Sequence, residues 1–241
     1  MLANEGATML QVLLKTPLKI IDSILWTDLH VKLHNYFVGF HSPNYKFKEG
    51  EIAFVHLPKT GGTSLHLLLK ADKLSRFVNL DMHRPISQLC DPVKHNYITV
   101  MRDPMDRVWS YYQMVLKNPP GFPYKAFANK GLGFFLKHCW EVRNMACRYY
   151  SGQIAKEPDA QTLENAFNNL TNFICVIAFD NFEEEVTALL ANYSIPTISI
   201  LHERKSSYAR LSQNEHDLIY KYNRLDIELF NKWKKSNKEI G

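Results

Sequence analysis

At 241 residues, 46% hydrophobic and 22% charged, the chain has the size and apolar content of one domain with a sizeable core, which argues against a disordered protein. Its formal net charge of +5 comes from scattered basic residues, a pattern that favours a small or polyanionic ligand over a nucleic-acid surface. The four cysteines, Cys90, Cys139, Cys147 and Cys175, form no C-x-x-C pair, so no zinc site is expected; the apolar neighbours of the last three predict buried free thiols in a reducing compartment.

In chain order, Leu18, Ile21, Ile24, Leu25, Leu29, Val31, Leu33 and Phe37 recur at spacings of three and four, predicting one or two amphipathic helices packed outside a core sheet. The rival reading, a membrane-surface helix, is disfavoured by Asp22 and Asp28, which dilute a basic polar face. The expected organisation is a helical extension over 1–46 and one domain over 47–241. No apolar run reaches the ~18 residues that a spanning helix needs. No transmembrane or signal segment is therefore expected, and a cytoplasmic location follows as an expectation.

Glu51 to Lys70 reads EIAFVHLPKTGGTSLHLLLK. Ile52, Ala53, Phe54, Val55 and Leu57 predict a strand covered on both faces, and Pro58 ends it because proline has no N–H to give. Lys59-Thr60-Gly61-Gly62-Thr63-Ser64 then turns sharply into a helix whose apolar face includes Leu65, Leu68 and Leu69. Backbone N–H groups at a helix start, with a lysine and hydroxyls beside them, make an anion site, most naturally for phosphate; the bland alternative is an ordinary turn. The order differs from the G-x-x-x-x-G-K-[ST] loop, since the lysine precedes the glycines. PKTGGTS in this place resembles the 5′-phosphosulfate loop of sulfotransferases, in particular the carbohydrate and heparan sulfate 2-O-sulfotransferase-like branch.

Arg76 to Leu80 predicts a second short strand, after which His83 falls in a loop before Pro85. Read from the residues alone, a loop histidine is usually a polar surface group. Tyr97 to Met101 is β-branched and apolar, predicting another interior strand with Arg102 at its C-terminal end. Asp103 as N-cap and Pro104 in the first turn open a helix with Val108, Trp109, Tyr112 and Val115 on its buried face. A strand-end arginine and a serine on the following helix, Ser110, can bind phosphate together by a charged fork and a hydroxyl donor; alternatively Arg102 pairs locally with Asp103 and Ser110 faces solvent. RDPMDRVWSYY resembles the 3′-phosphate motif R-D-P-x-x-R-x-x-S-x-Y of the same sulfotransferases.

Two such motifs in this order identify the resemblance as one to sulfotransferases that use 3′-phosphoadenosine 5′-phosphosulfate, over about Glu51 to Trp233. It implies an α/β fold, with a P-loop-like, mostly parallel central sheet flanked by helices. It implies further that Lys59 stabilises the leaving bisphosphate and that Thr60, Gly61, Gly62, Thr63 and Ser64 hold the 5′-phosphate. Arg102 and Ser110 would hold the 3′-phosphate, and His83 would be the base towards an acceptor hydroxyl, although Met82 stands where the branch commonly has glycine. The segment from Asn144 to Gly152 resembles one in this branch and makes Arg148 a candidate for an acidic or sulfated acceptor, beside its plainer role in a helix-end salt bridge. The branch also places a Lys-Ser pair against the nucleotide, here Lys205 and Ser206. The implied partner is a hydroxyl-bearing acceptor such as a glycan, with no nucleic acid and no metal. A nucleotide kinase or a non-catalytic nucleotide-binding module is the alternative.

The remaining elements read as architecture. Leu132 to Tyr150 predicts one helix and Phe173 to Ala178 a buried strand. Asp180 and Glu183 predict a capping box before a helix carrying Val186, Leu189 and Leu190, while Ser212 and Glu215 predict a cap on a final helix with a long apolar stripe.

Overall fold

The computed structural model of the chain describes residues 50–62, 64–65, 77–78, 86, 96–122, 124–153, 157–193 and 210–240. The extension expected over 1–46 lies outside them. Ile52–Val55 (β1), Phe77–Val78 (β2), Asn96–Met101 (β3) and Cys175–Ala178 (β4) form a parallel sheet in the spatial order β2-β1-β3-β4. Parallel strands need crossover connections that cover both faces, which is why β1 is apolar and buried along its whole length. Val55 lies opposite Thr99, and Met101 opposite Ala178. The α/β class and the parallel sheet expected from the sequence are therefore present.

Helices among the described residues include Pro104–Lys117 (α1), Lys125–Ala128 (α2), Leu132–His138 (α3), Met145–Ser151 (α4), Ala160–Thr171 (α5), Phe182–Asn192 (α6) and Gln213–Ile240 (α7). The two-residue period of a strand sends Ala53, Val55, Tyr97 and Met101 to one face, where they meet α4, α5 and α7. Ile52, Phe54, Ile98, Val100 and Ile177 take the other face with Leu65 and the Val186, Leu189 and Leu190 stripe of α6. Each fully buried aliphatic side chain contributes about 1.5–3 kcal/mol relative to exposure, so these two layers carry most of the stabilisation. A third cluster joins α1 to α2, α3 and Ile219 of α7. Thr99 is the polar exception in β3: its hydroxyl donates to the Val55 carbonyl at 2.8 Å and bonds the Tyr150 hydroxyl at 2.9 Å, tying the sheet to α4.

Two local expectations are corrected and a third is met. The single helix expected over 132–150 is broken into α3, a 3-10 turn at Trp140–Val142 and α4, because Cys139 leaves helical geometry and Asn144 is left-handed at φ 44°. The capping box of Asp180 and Glu183 does not form. Asp180 is taken into a 3-10 turn at Phe179–Asn181, Asn181 stands at the cap without a side-chain bond to the helix N–H groups, and Glu185 instead accepts from the Ala178 N–H at 2.7 Å. Ser212 and Glu215 do cap α7: the Glu215 carboxylate accepts from both the N–H and the hydroxyl of Ser212.

Cys139, Cys147 and Cys175 are free, the first two buried and the third half-buried. Burial pushes the Cys139 and Cys147 thiols well up and that of Cys175 up to about 11, which keeps them protonated and poorly nucleophilic. Among the described residues no helix is long and apolar enough to cross a membrane, and no group of three or more His, Cys, Asp or Glu could hold a metal ion.

Candidate functional site

The chain leaves β1 towards β2 on one side and returns as β3 on the other, so connections diverge at the β1/β3 boundary. Open parallel sheets offer a ligand crevice at such a point, outside the C-terminal strand ends. The lysine-glycine loop follows β1 and Arg102 follows β3, which brings both sequence motifs to that edge.

The loop mixes buried residues, His56 to Pro58, Thr60 and Gly62, with half-buried Lys59, Gly61 and Ser64. His56 is 4% exposed and stacks on Phe54 with ring centroids 5.2 Å apart. Thr60 is fully buried, and its hydroxyl donates to the Leu57 carbonyl at 2.8 Å, closing the turn from inside. That bond gives Thr60 a structural task inside the turn. Lys59 and Gly61 are both left-handed, at φ 68° and 79°. Glycine takes this conformation freely, whereas lysine is strained in it, a strain that surrounding contacts must hold. The Ser64 N–H donates to the Gly61 carbonyl at 3.1 Å, and Gly62, Ser64 and Leu65 are helical, so the helix opens directly out of the loop. Thr63, between them, lies outside the described residues.

Gly62 is needed for space. A Cβ there would come within 2.1 Å of the His56 ring, which is pinned by its stack on Phe54. Gly62→Ala is expected to destabilise the protein by about 1–3 kcal/mol through overpacking, in spite of the usual gain of helix propensity over glycine. Urea unfolding checks this, and a more stable variant would show that His56 can move aside.

Arg102 joins the two loops. One terminal nitrogen donates to the Lys59 carbonyl at 3.0 Å, and the guanidinium lies 4.4 Å from the centroid of the Phe179 ring. Asp103 is occupied as the N-cap of α1, accepting from the Met105 N–H at 2.8 Å, so it is a cap and not the local partner considered for Arg102. Asp106 is held above the ordinary carboxylate range chiefly by burial, with Asp103 and Asp180 adding to the rise and the Arg102 charge opposing it. Arg102 thus stands beside a local acidic cluster.

Ser110 faces inward, at 1% exposure, and among the described residues its hydroxyl has no hydrogen-bond partner. A buried hydroxyl left in that state costs free energy unless something accepts or donates to it. Arg107 of the same motif, three residues earlier, is structural: it is 1% exposed and donates to Asp226 at 3.3 Å and to the Val142 carbonyl at 3.1 Å. Arg148 is also turned inward. It donates to the Arg143 carbonyl at 3.2 Å and to Glu157 at 3.0 Å, with its guanidinium 5.2 Å from the Trp140 ring. Burial pulls its pKa below the ordinary arginine value while Glu157 pushes it back up. These are the contacts of the plainer, salt-bridge role.

His83, Lys205 and Ser206 lie outside the described residues. Among the others the structure brings together Lys59, Thr60, Gly61, Gly62, Ser64 and Arg102, with Ser110 inside α1. Phe179 belongs to this group and was missed by sequence reasoning; its only signal was an aromatic residue immediately after a strand. No family model and no curated protein matches this chain.

Proposed function

We propose that the chain is a sulfotransferase that moves a sulfuryl group from 3′-phosphoadenosine 5′-phosphosulfate to an acceptor hydroxyl, of a carbohydrate or another small alcohol. The observation that carries the reading is the hydrogen bond from Arg102 to the Lys59 carbonyl, which joins the loop resembling a 5′-phosphosulfate site to the strand end resembling a 3′-phosphate site. A donor with phosphates at both ends of one ribose needs two anion sites held at fixed separation. The unpartnered Ser110 hydroxyl supports the fit, since a bound phosphate would satisfy it.

Sulfuryl transfer is an in-line displacement akin to phosphoryl transfer, governed by positioning and charge stabilisation. Lys59 would neutralise the charge that grows on the bridging oxygen as the bisphosphate leaves. The loop N–H groups, with Thr63 and Ser64, would hold the 5′-phosphate; Arg102 and Ser110 would hold the 3′-phosphate, with Lys205 and Ser206 as further contacts. His83 would take the acceptor proton, a task suited to a group that titrates near neutrality.

Ser110→Ala is a compact check. Removing a buried hydroxyl that lacks a protein partner should leave stability unchanged or raise it by up to ~1 kcal/mol, while weakening affinity for 3′-phosphoadenosine 5′-phosphate by about tenfold. A loss of stability with unchanged affinity would make Ser110 a packing residue. For the activity itself, a radiolabelled sulfate donor is incubated with panels of glycans, lipids and small alcohols, alongside calorimetry with the bisphosphate and with ATP. Label transfer supports the reading. Preference for ATP points to a kinase, and bisphosphate binding without transfer to any acceptor class points to a nucleotide-binding module.

A further inference from the structure

We infer that Phe179 is a positioning residue that locks Arg102 and the Lys59–Gly61 turn into one rigid anion clamp; its role in donor binding rests on the sulfotransferase reading. The placement follows from strand register. Met101 and Ala178 are paired across β3 and β4, so the next residue on each strand, Arg102 and Phe179, emerges beside the other at the sheet edge. The ring then does two things. One contact is with the Arg102 guanidinium, 4.4 Å from the ring centroid, within the range of a cation–π contact. The other is with Gly61, where a Cβ would fall 2.7 Å from the ring, so the loop backbone is packed directly on the aromatic edge.

Arg102 closes the circuit by donating to the Lys59 carbonyl at 3.0 Å. Two left-handed residues of the loop, Lys59 at φ 68° and Gly61 at φ 79° with Thr60 between them, are thus gripped from both ends. Strained backbone persists only where its surroundings over-determine it, and these contacts contribute to that hold. The ring is itself anchored: it packs against the Ile52, Phe54 and Leu65 cluster, and the preceding Ala178 N–H is held by Glu185 at 2.7 Å. An arginine with a fixed plane loses less freedom on meeting a phosphate than one that must be ordered at binding.

The test uses the full chain with Phe179→Leu, which keeps apolar bulk against Gly61 but removes the ring face, with Phe179→Met as a second variant and Phe179→Tyr as the conservative rescue. In the free protein, NMR of the Arg102 side chain reports the ring directly: its ring-current shift is expected in wild type and Phe179→Tyr and lost in Phe179→Leu. Calorimetry with 3′-phosphoadenosine 5′-phosphate is expected to show affinity about tenfold weaker for Phe179→Leu and near wild type for Phe179→Tyr. In an Arg102→Met background the Phe179→Leu change should add nothing, whereas a purely structural role would cost the same in both backgrounds. If wild type binds the bisphosphate and Phe179→Leu and Phe179→Met bind it equally well, the inference is overturned and the proposed function stands. If wild type does not bind the bisphosphate, the proposed function falls first and the donor-binding role falls with it.

Discussion

Lys59→Ala is expected to lower kcat by a factor on the order of 10²–10³ with little change in donor affinity, the largest catalytic effect expected of any single substitution at the site. The reasoning is differential. The ammonium meets an already charged phosphate in the ground state, but the bridging oxygen gains charge only as the bond to sulfur breaks, so the interaction grows in the transition state. Alanine keeps a Cβ, so the left-handed backbone at φ 68° and the carbonyl that accepts from Arg102 are not altered by the change. Lys59→Gly provides the control, since it loses the same charge while relieving the backbone strain. Equal losses in both variants, read as single-turnover rates with saturating donor, assign the effect to the ammonium. Full turnover in Lys59→Ala would remove Lys59 from the mechanism.

That loop was legible because each step had a local cause. An apolar run interrupted only at His56 gives a buried strand, proline stops it, and glycines permit the turn. The strand and helix of the second motif were legible for the same reason, with Asp103 and Pro104 marking the start of α1. What stayed hidden depends on contacts distant in sequence. Phe179 meets Arg102 only through the register of β3 and β4. Arg107 is held inward by Asp226, 119 positions away, a pairing that no local pattern encodes. The break between α3 and α4 needs a left-handed Asn144, a conformation supported by bonds to residues some 80 positions away, which no local propensity encodes. At Asp180 a local signal was present and lost, because the 3-10 turn after β4 moves the start of α6 past it. Thr60 was legible as a loop hydroxyl but not as one that bonds inward to Leu57.

The largest effect on stability is expected at Asp226. Its side chain is fully buried against the nearly buried Arg107, and its carboxylate also accepts from the Ala146 and Cys147 N–H groups at the start of α4, at 3.0 and 2.9 Å. Asn144 reciprocates: α7 leaves helical geometry at Asn223, and the Asn144 side chain accepts from the Leu225 and Asp226 N–H groups just beyond. Two helix starts thus cap each other, with the ion pair at their centre. Burial alone would pull the Arg107 pKa down, and the Asp226 charge opposes that fall. Asp226→Ala leaves a buried guanidinium without its counter-charge and two helix N–H groups without their acceptor. It is expected to cost about 3–5 kcal/mol, a large share of the roughly 5–15 kcal/mol that holds a typical domain. The double variant Arg107→Met with Asp226→Ala should recover part of the loss, because no charge is then stranded, but not the part owed to the caps. Urea unfolding at neutral pH measures both, and a cost below ~1 kcal/mol for Asp226→Ala would show that solvent reaches Arg107. The same pair bears on the site: Arg107 and Ser110 stand three apart on α1 and so share a face, and the anchor that fixes Arg107 inward also sets where the Ser110 hydroxyl is presented.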